Sequence, residues 1–386
     1  MQRWRQIGIG FALMLASLAA QAFHASDDGR LTLSGFGTLG LVHSDNSEAE
    51  FLRDIGQPKG ADEGWSARVD SLLGAQLGWR VDPRWDLVVQ GISRYHDSGN
   101  YRPELSWAFV RYRPDPALQL RAGRLGWDVF QLADSRYVGY AYPWARPPVD
   151  QFGMLQLTHI DGADVTFKQP WGSDLVLLKL YAGRSDSRIH VVDDLVADFD
   201  ADAVYGGHLD YEHGPWRLRT SYTEVRSDVD YAGSVVNEID SLQIPGLDGE
   251  REIERALGFS RLRLFSLGAL YDSGPLQVQA MWNRSRTARH HGRIDSALLS
   301  VGYRVGQVTP YVAHSRAMTS STNPDVTDID QRTWTFGTRF DVARDIALKV
   351  QLDRIDTRRP GFLWRGDSDW EGGWSSIFSL GLDFIF

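Results

Sequence analysis

The stretch Ile377-Phe-Ser-Leu-Gly-Leu-Asp-Phe-Ile-Phe386, at the end of the chain, decides the fold class. Large apolar residues recur there at every second position from Phe378 onward, which is the period of a β-strand. Between them stand mostly small or polar residues, among them Ser379 and Asp383. One face of this strand is therefore apolar, and the other suits contact with water.

The same alternation returns along the rest of the chain. It is clearest in 85–95, 276–283 and 346–353, where Leu, Val, Ile and Trp alternate with Gln, Asp, Asn and Lys. No long segment shows the 3.6-residue period of an amphipathic helix. The sequence therefore predicts an all-β protein.

Short and long connections alternate between these strands. Seven short turns rich in Pro, Gly and Asp separate eight longer polar segments. An outer-membrane barrel with both termini in the periplasm has short periplasmic turns and one more extracellular loop than turns. The count predicts about sixteen antiparallel strands. The turns lie near 80–84, 113–117, 169–174, 212–216, 271–275, 305–308 and 342–345, and the longer segments near 44–66, 96–102, 126–160, 185–202, 226–255, 286–294, 317–330 and 356–373.

Aromatic residues stand close to the short turns. Trp79 and Trp85 flank the first turn, Trp171 lies in the third, and Tyr211 and Trp216 flank the fourth. This placement is typical of the aromatic girdle at a membrane interface. Because lipid offers no water to the backbone, a membrane protein made of strands must close on itself. We therefore expect a closed transmembrane barrel.

The N-terminal residues predict export. Arg3 and Arg5 precede an apolar run over 7–20, and Ala20-Gln21-Ala22 fits the small-residue cleavage site of a secretory signal peptide. We therefore expect a signal peptide over 1–22, passage through the periplasm, and a barrel over 23–386. No later segment has the roughly 18 apolar residues that a membrane-spanning helix requires.

Charge and cysteine content exclude some classes of protein. The formal net charge is −9, and it becomes −11 when Arg3 and Arg5 leave with the signal peptide. An acidic chain of this kind is a poor partner for nucleic acid. Because cysteine is absent, no disulfide stabilises the fold.

The two ends of the predicted barrel carry a family resemblance. Leu31-Thr-Leu-Ser-Gly-Phe-Gly-Thr-Leu-Gly-Leu41 and Ser379–Phe386 resemble the first and last strands of Gram-negative porins, and 138–148 looks like a segment of porin-like proteobacterial proteins. The resemblance implies a passive diffusion channel of the outer membrane for small polar or ionic solutes. It also implies that the barrel-assembly machinery recognises Phe386, and that the protein forms a homotrimer in contact with the lipid bilayer and lipopolysaccharide.

The sequence also departs from that family. The second outer loop of trimeric general porins is long and reaches a neighbouring subunit, whereas 96–102 is short. The third loop of those porins carries an acidic Pro-Glu-Phe-Gly-Gly-type motif, which 126–160 lacks. The short second loop counts against a trimer of the usual kind.

The third long segment, 126–160, is the candidate constriction loop. A sixteen-stranded barrel encloses an aqueous lumen, so whatever narrows that lumen sets the function. Paired prolines and several aromatic residues suit a loop that is held rigidly inside the barrel, although an ordinary surface loop is the alternative. The candidate constriction residues are Asp128, Asp134, Arg136, Tyr137, Tyr140, Arg146 and Asp150.

Basic residues on the predicted lumen faces stand opposite this loop. Guanidinium groups facing carboxylates would produce a transverse field across the lumen. The excess of inward basic residues predicts a mild anion preference. These residues are Arg68, Arg94, Arg121, Arg217, Arg219, Arg304, Arg339 and Lys349.

The chain has no recognisable catalytic or metal-binding motif. His208, Asp210 and Glu212 alternate along one strand, but they spread over about 13 Å, which is too far apart for one ion. We therefore predict neither an enzyme nor a bound metal or cofactor. Two other readings stay open: a structural or adhesive barrel that displays loops such as 226–255, and a soluble secreted β-rich carbohydrate-active protein.

Overall fold

A computed structural model describes residues 23–24, 29–155, 157–192, 195–232, 261–287, 292–320, 330–359, 363–366 and 370–386. Within these residues, sixteen long strands form one antiparallel sheet. The predicted signal peptide, 1–22, lies outside the described residues. The strands are β1 Leu31–Ser44, β2 Leu72–Arg80, β3 Trp85–Arg94, β4 Glu104–Tyr112, β5 Leu118–Gly126, β6 His159–Trp171, β7 Asp174–Val192, β8 Leu195–His213, β9 Trp216–Ala232, β10 Arg261–Asp272, β11 Leu276–Thr287, β12 Arg293–Tyr303, β13 Val308–Ser320, β14 Asp330–Ala343, β15 Ile346–Arg359 and β16 Gly373–Ile385.

The sheet closes on itself. Each strand pairs with the next along the chain, and β16 pairs with β1 in a register that sets Leu382 opposite Leu39. Beyond this ladder, Gly35 and Phe386 exchange two backbone hydrogen bonds of 2.9 and 3.0 Å. The ring of Phe386 lies where a side chain at Gly35 would stand. The predicted closed barrel of sixteen strands is therefore confirmed.

The period-two pattern sorts side chains between the two faces of the barrel as predicted. In β16, Ser379 and Asp383 are buried inside, while Leu380 and Leu382 on the opposite face are more exposed. Exposed leucines also line the outside of β1 and β2, among them Leu41 and Leu73. Such apolar surface is stable next to lipid rather than water.

The barrel has a short-turn end and a long-loop end. Seven turns of two to five residues join the strands at one end, and Gly172 and Gly214 hold the positive φ angles that two-residue turns need. Trp79, Trp85 and Trp171 are exposed near these turns. Their position fits an interfacial girdle.

One predicted loop is wrong. Residues 185–202 were expected to form the fourth long loop, but most of them extend β7 and β8. Inward positions such as Ile189 and Phe199 are buried, while Asp186 and Asp200 are exposed. The charged residues that suggested a polar loop are therefore the solvent-exposed positions of two strands in which buried and exposed residues alternate. The middle parts of the predicted loops 226–255, 286–294 and 317–330, namely 233–255, 288–291 and 321–329, lie outside the described residues.

Two further loops cover the long-loop end. Ala49–Phe51 in the first loop pairs with Trp364–Gly366 in the last. Phe51 and Trp364 pack with Val149, which begins a short helix, Val149–Phe152. Among the described residues, no helix is long and apolar enough to cross a membrane.

Candidate functional site

The third loop, residues 127–158, runs inside the barrel between β5 and β6. Trp127, Phe130 and Trp144 are almost fully buried. They pack with lumen-facing side chains of β7–β13, including Tyr181 and Met281. Burial of these aromatic rings against the wall stabilises the folded-in position. The prediction that this loop folds into the lumen is confirmed.

Arg146 fixes the middle of this loop to the wall. Its side chain is 1% exposed and donates hydrogen bonds to Asp70 at 2.6 Å, to Asp353 at 2.8 Å and to the Ser379 hydroxyl at 2.7 Å. Its guanidinium also lies 4.8 Å from the ring centre of Phe51. A buried charge with this many partners acts as an anchor.

Two other anchors hold the loop near the short-turn end. Lys349, fully buried, pairs with Asp383 at 2.7 Å and donates to the backbone oxygens of Gly139 and Trp144. The Tyr140 hydroxyl donates to the carbonyl of Arg344, which lies in a short turn. The loop therefore reaches deep into the barrel.

Asp128 and Asp150 are buried in different surroundings. Asp150 accepts 2.6 Å hydrogen bonds from Ser315 and Gln331, and burial raises the pKa of its carboxyl group. Asp128 accepts a hydrogen bond from Lys179 at 2.8 Å and lies 3.0 Å from His208. Burial opposes its ionisation, but these two partners hold the pKa of Asp128 well below its usual range.

Asp134, Arg136 and Tyr137 lie on the open side of the loop. The Tyr137 ring is surrounded by three guanidinium groups, from Arg53, Arg94 and Arg136, at 4.7 to 5.4 Å from its centre. Arg136 also donates to the carbonyl of Ala133 at 2.8 Å. These contacts hold Tyr137 in one place by cation–π attraction.

This open side borders a cavity of about 510 Å³, which we call the vestibule. The wall across from the loop comes from β3–β5 and the long-loop ends of β7 and β8. Towards the short-turn end, Phe36 and Ile92 from the wall cluster with Tyr137 and Val138 from the loop. The loop and the wall therefore meet in an apolar contact at the edge of the vestibule.

The predicted lumen cations fall into two groups. Arg68, Arg217 and Arg304 are exposed in a loop, at a strand end and in a turn. The other five each face a carboxylate, so their charges are largely compensated. These pairs are Arg94 with Asp54 and Glu104, Arg121 with Asp164, Arg219 with Asp210, Arg339 with Asp341, and Lys349 with Asp383.

Two groups of side chains at the long-loop end have the composition of metal ligands. They are His96 with Asp97 and Glu104, and His159 with Asp161 and Asp186. In the second group, Arg124 donates 2.6 and 2.8 Å hydrogen bonds to Asp161. The guanidinium supplies the positive charge that these carboxylates need, so an ion-pair network accounts for the group.

The first loop is also part of this site, although its residues were not predicted to belong to it. Arg53 contacts Tyr137, Asp54 lines the vestibule, and Asp70 holds Arg146. The apolar residues Phe51, Leu52 and Ile55 within an otherwise polar segment are the signal that this loop turns inward.

Comparisons with known proteins agree with this architecture. Residues 11–360 match the family described as Gram-negative porin, whereas no curated protein matches the sequence. The barrel resembles the outer-membrane channel DcaP of Acinetobacter baumannii, with a TM-score of 0.61 at 9% identity over 95% of this chain and 100% of that one. It also resembles OmpF of Salmonella typhi in complex with daunomycin, with a TM-score of 0.60 at 11% identity over 94% of this chain and 100% of that one.

A third similar structure is the anion-selective porin from Comamonas acidovorans, with a TM-score of 0.55 at 14% identity over 92% of this chain and 99% of that one. At such low identities, these structures establish the fold alone. The family match covers most of the chain. The two alternative predictions, a soluble carbohydrate-active protein and a barrel that is not a channel, are therefore wrong. The chain belongs to the Gram-negative porin family and is a non-enzymatic diffusion channel of the outer membrane.

Proposed function

We propose that solutes enter through the vestibule and that Tyr137 and Val138 form the narrowest part of their route, against Phe36 and Ile92. The observation that carries this proposal is the packing of these four side chains at the edge of the vestibule. An apolar constriction limits the passage of water and ions more than its diameter alone implies.

The experiment replaces Tyr137 with alanine. Removal of a ring at the narrow point should raise the single-channel conductance of the protein in a planar bilayer, because the aqueous path becomes wider. Tyr303→Ala is the matched control, since Tyr303 is exposed on the outside of the barrel. Equal conductance of the Tyr137→Ala and Tyr303→Ala channels would overturn this assignment of the constriction.

We further propose a weak cation preference in place of the predicted anion preference. Five of the predicted lumen cations are paired with carboxylates, and acidic side chains outnumber basic ones along the vestibule, which attracts cations to the mouth. A reversal potential in a salt gradient tests the sign, and an anion-selective value would contradict this proposal. Apart from outward positions of β5, β7 and β8, the acidic lining residues are Asp54, Asp97, Glu104 and Asp134, and the arginines are Arg94 and Arg136.

The family places the protein in the membrane with small solutes as its cargo, and we propose three further partners. The barrel-assembly machinery would recognise Phe386, which also closes the sheet onto Gly35. A second and a third copy would pack against the exposed leucines of β1, such as Leu39 and Leu41. The mass of the detergent-extracted protein tests the trimer, which a monomeric mass would exclude. Lipopolysaccharide is the third partner.

A further inference from the structure

Arginine residues gather on the outside of β9–β12, at the long-loop end. Outward positions there carry six arginines and three carboxylates among the described residues. An excess of arginine over carboxylate on the lipid-facing side stands out in a protein with a net charge of −9. The arginines are Arg226, Arg261, Arg263, Arg284, Arg286 and Arg293, and the carboxylates are Glu224, Asp228 and Asp295.

The strand register brings three of these guanidinium groups into one row. Arg263 on β10 stands opposite Arg286 on β11, and Arg286 stands opposite Arg293 on β12. Neighbouring strands are about 4.8 Å apart. Like charges placed directly opposite one another destabilise a sheet. Glu224 stands opposite Arg263 on the other side, but the two residues opposite Arg286 are both arginines, so an anion bound at Arg286 would relieve the repulsion.

The nearby carboxylates are shared among several arginines. Glu224 lies 3.2 to 3.5 Å from Arg226, Arg261 and Arg263. Asp295 lies 2.6 Å from Arg284 and 2.8 Å from Arg293. Each carboxylate can neutralise one unit of charge, so within the described part of the chain the patch has a positive excess and unused N–H donors.

Aromatic rings mark the depth of the patch in the membrane. Tyr222, Phe265 and Trp282 stand on the same outward face, next to the arginines on the side of the short turns. The Arg284 guanidinium lies 5.0 Å from the Trp282 ring centre. Because aromatic side chains of this kind sit at the level of lipid headgroups, the guanidinium groups lie at the height of headgroup phosphates.

Two cavities follow one another on this face and meet at Trp282. The cavity nearer the long loops, of about 620 Å³, is lined by four arginines, three aromatic rings and a threonine. The cavity nearer the short turns, of about 480 Å³, is a largely apolar groove. It is lined by Ala269 and Ala280, which stand opposite each other, and by Leu218 and Leu267. An anion site directly above an apolar groove matches an amphiphile.

We propose that this face binds a phosphorylated, acylated glycolipid of the outer leaflet, with its phosphate on the Arg263–Arg286–Arg293 row and an acyl chain in the groove. Guanidinium forks bind phosphate oxygens in pairs, so a row of three can hold one phosphate from two sides. The inference rests on the proposed partnership with lipopolysaccharide and assigns that partner to one surface.

The test measures binding of lipid A that carries two phosphates to the detergent-solubilised barrel by native mass spectrometry. The variant combines Arg263→Gln, Arg286→Gln and Arg293→Gln. We expect it to bind lipid A about tenfold more weakly, because charge-assisted hydrogen bonds are lost. The matched control removes three exposed arginines of the short turns, Arg84→Gln, Arg304→Gln and Arg344→Gln, and should bind as the parent protein does.

Further measurements separate the sources of the anion. Dephosphorylated lipid A should bind the parent protein about as weakly as phosphorylated lipid A binds the triple variant, and millimolar inorganic phosphate should not compete. Ala280→Leu fills the groove and should weaken binding of lipid A while leaving the arginines in place. The proposal is overturned if the triple variant binds lipid A normally, if the control loses as much affinity, or if free phosphate displaces the lipid.

Planar-bilayer conductance distinguishes a failure of the proposed solute route from a failure of the proposed lipid site. All these variants should conduct as the parent protein does, since their substitutions lie on the outside of the barrel or in its turns. A parent barrel that binds lipid A but does not conduct would refute the proposed solute route and leave the lipid site standing. A parent barrel that conducts but does not bind lipid A would refute the lipid site and leave the proposed solute route unaffected.

Discussion

The two parts of the third loop differ in what surrounds them. Residues from 142 to 152 are packed against the wall, with Trp144, Arg146 and Asp150 almost fully buried. Residues 134 to 138 border the vestibule, and Asp134 is exposed there. The difference shows that one loop performs two tasks, because the buried part must fix the loop before the open part can define a route.

The largest effect should come from the buried part. Arg146→Met leaves Asp70 and Asp353 as buried carboxylates without their main partner, and loss of one member of a buried ion pair costs about 3–5 kcal/mol. Arg217→Gln is the control, since the pair of Arg217 with Glu212 is exposed and contributes under about 1 kcal/mol. Guanidinium unfolding of the refolded barrels measures both. Equal losses in the two variants would contradict the anchoring role.

The next prediction concerns two buried carboxylates with opposite pKa shifts. The pKa of Asp128 is lowered, so its stabilisation is complete at neutral pH and is lost as the pH falls below the ordinary aspartate value of about 3.9. The pKa of Asp150 is raised, so the folded protein loses stability as the pH rises above that value. The Asp128→Asn variant should therefore be less stable than the parent at pH 7, with the deficit shrinking in acid.

The Asp150→Asn variant should instead gain stability relative to the parent as the pH rises from 4 to 7, because asparagine has no charge to bury. Unfolding free energies at pH 2, 4 and 7 compare the two variants with the parent. Parallel pH profiles for Asp128→Asn and Asp150→Asn would show that the two surroundings do not differ in the way the contacts indicate.

Much of the fold can be predicted from the sequence because the alternation of apolar and polar residues is visible within each single strand. Alternation in β16 identifies both faces without knowledge of its neighbours, and the order of short and long connections gives the strand number. The wrong loop over 185–202 shows the limit of that reasoning. Beyond the lipid, outward positions such as Asp186 and Asp200 become charged, so strand and loop have similar composition.

The site is harder to predict because its contacts join distant parts of the chain. Arg146 meets Asp70 and Asp353, which lie 76 and 207 positions away. No local pattern distinguishes such an anchor from a lining residue such as Arg136. The sequence could therefore identify the loop but could not divide its charged residues between the wall and the vestibule.

The most direct test of this division is thiol accessibility, which the absence of native cysteine makes simple. Single variants Asp134→Cys and Asp150→Cys are inserted in planar bilayers and treated with a small charged thiol reagent while the single-channel current is recorded. We predict that the current falls in Asp134→Cys, where the side chain borders the vestibule, and stays unchanged in Asp150→Cys. A current change in Asp150→Cys with none in Asp134→Cys would contradict the account.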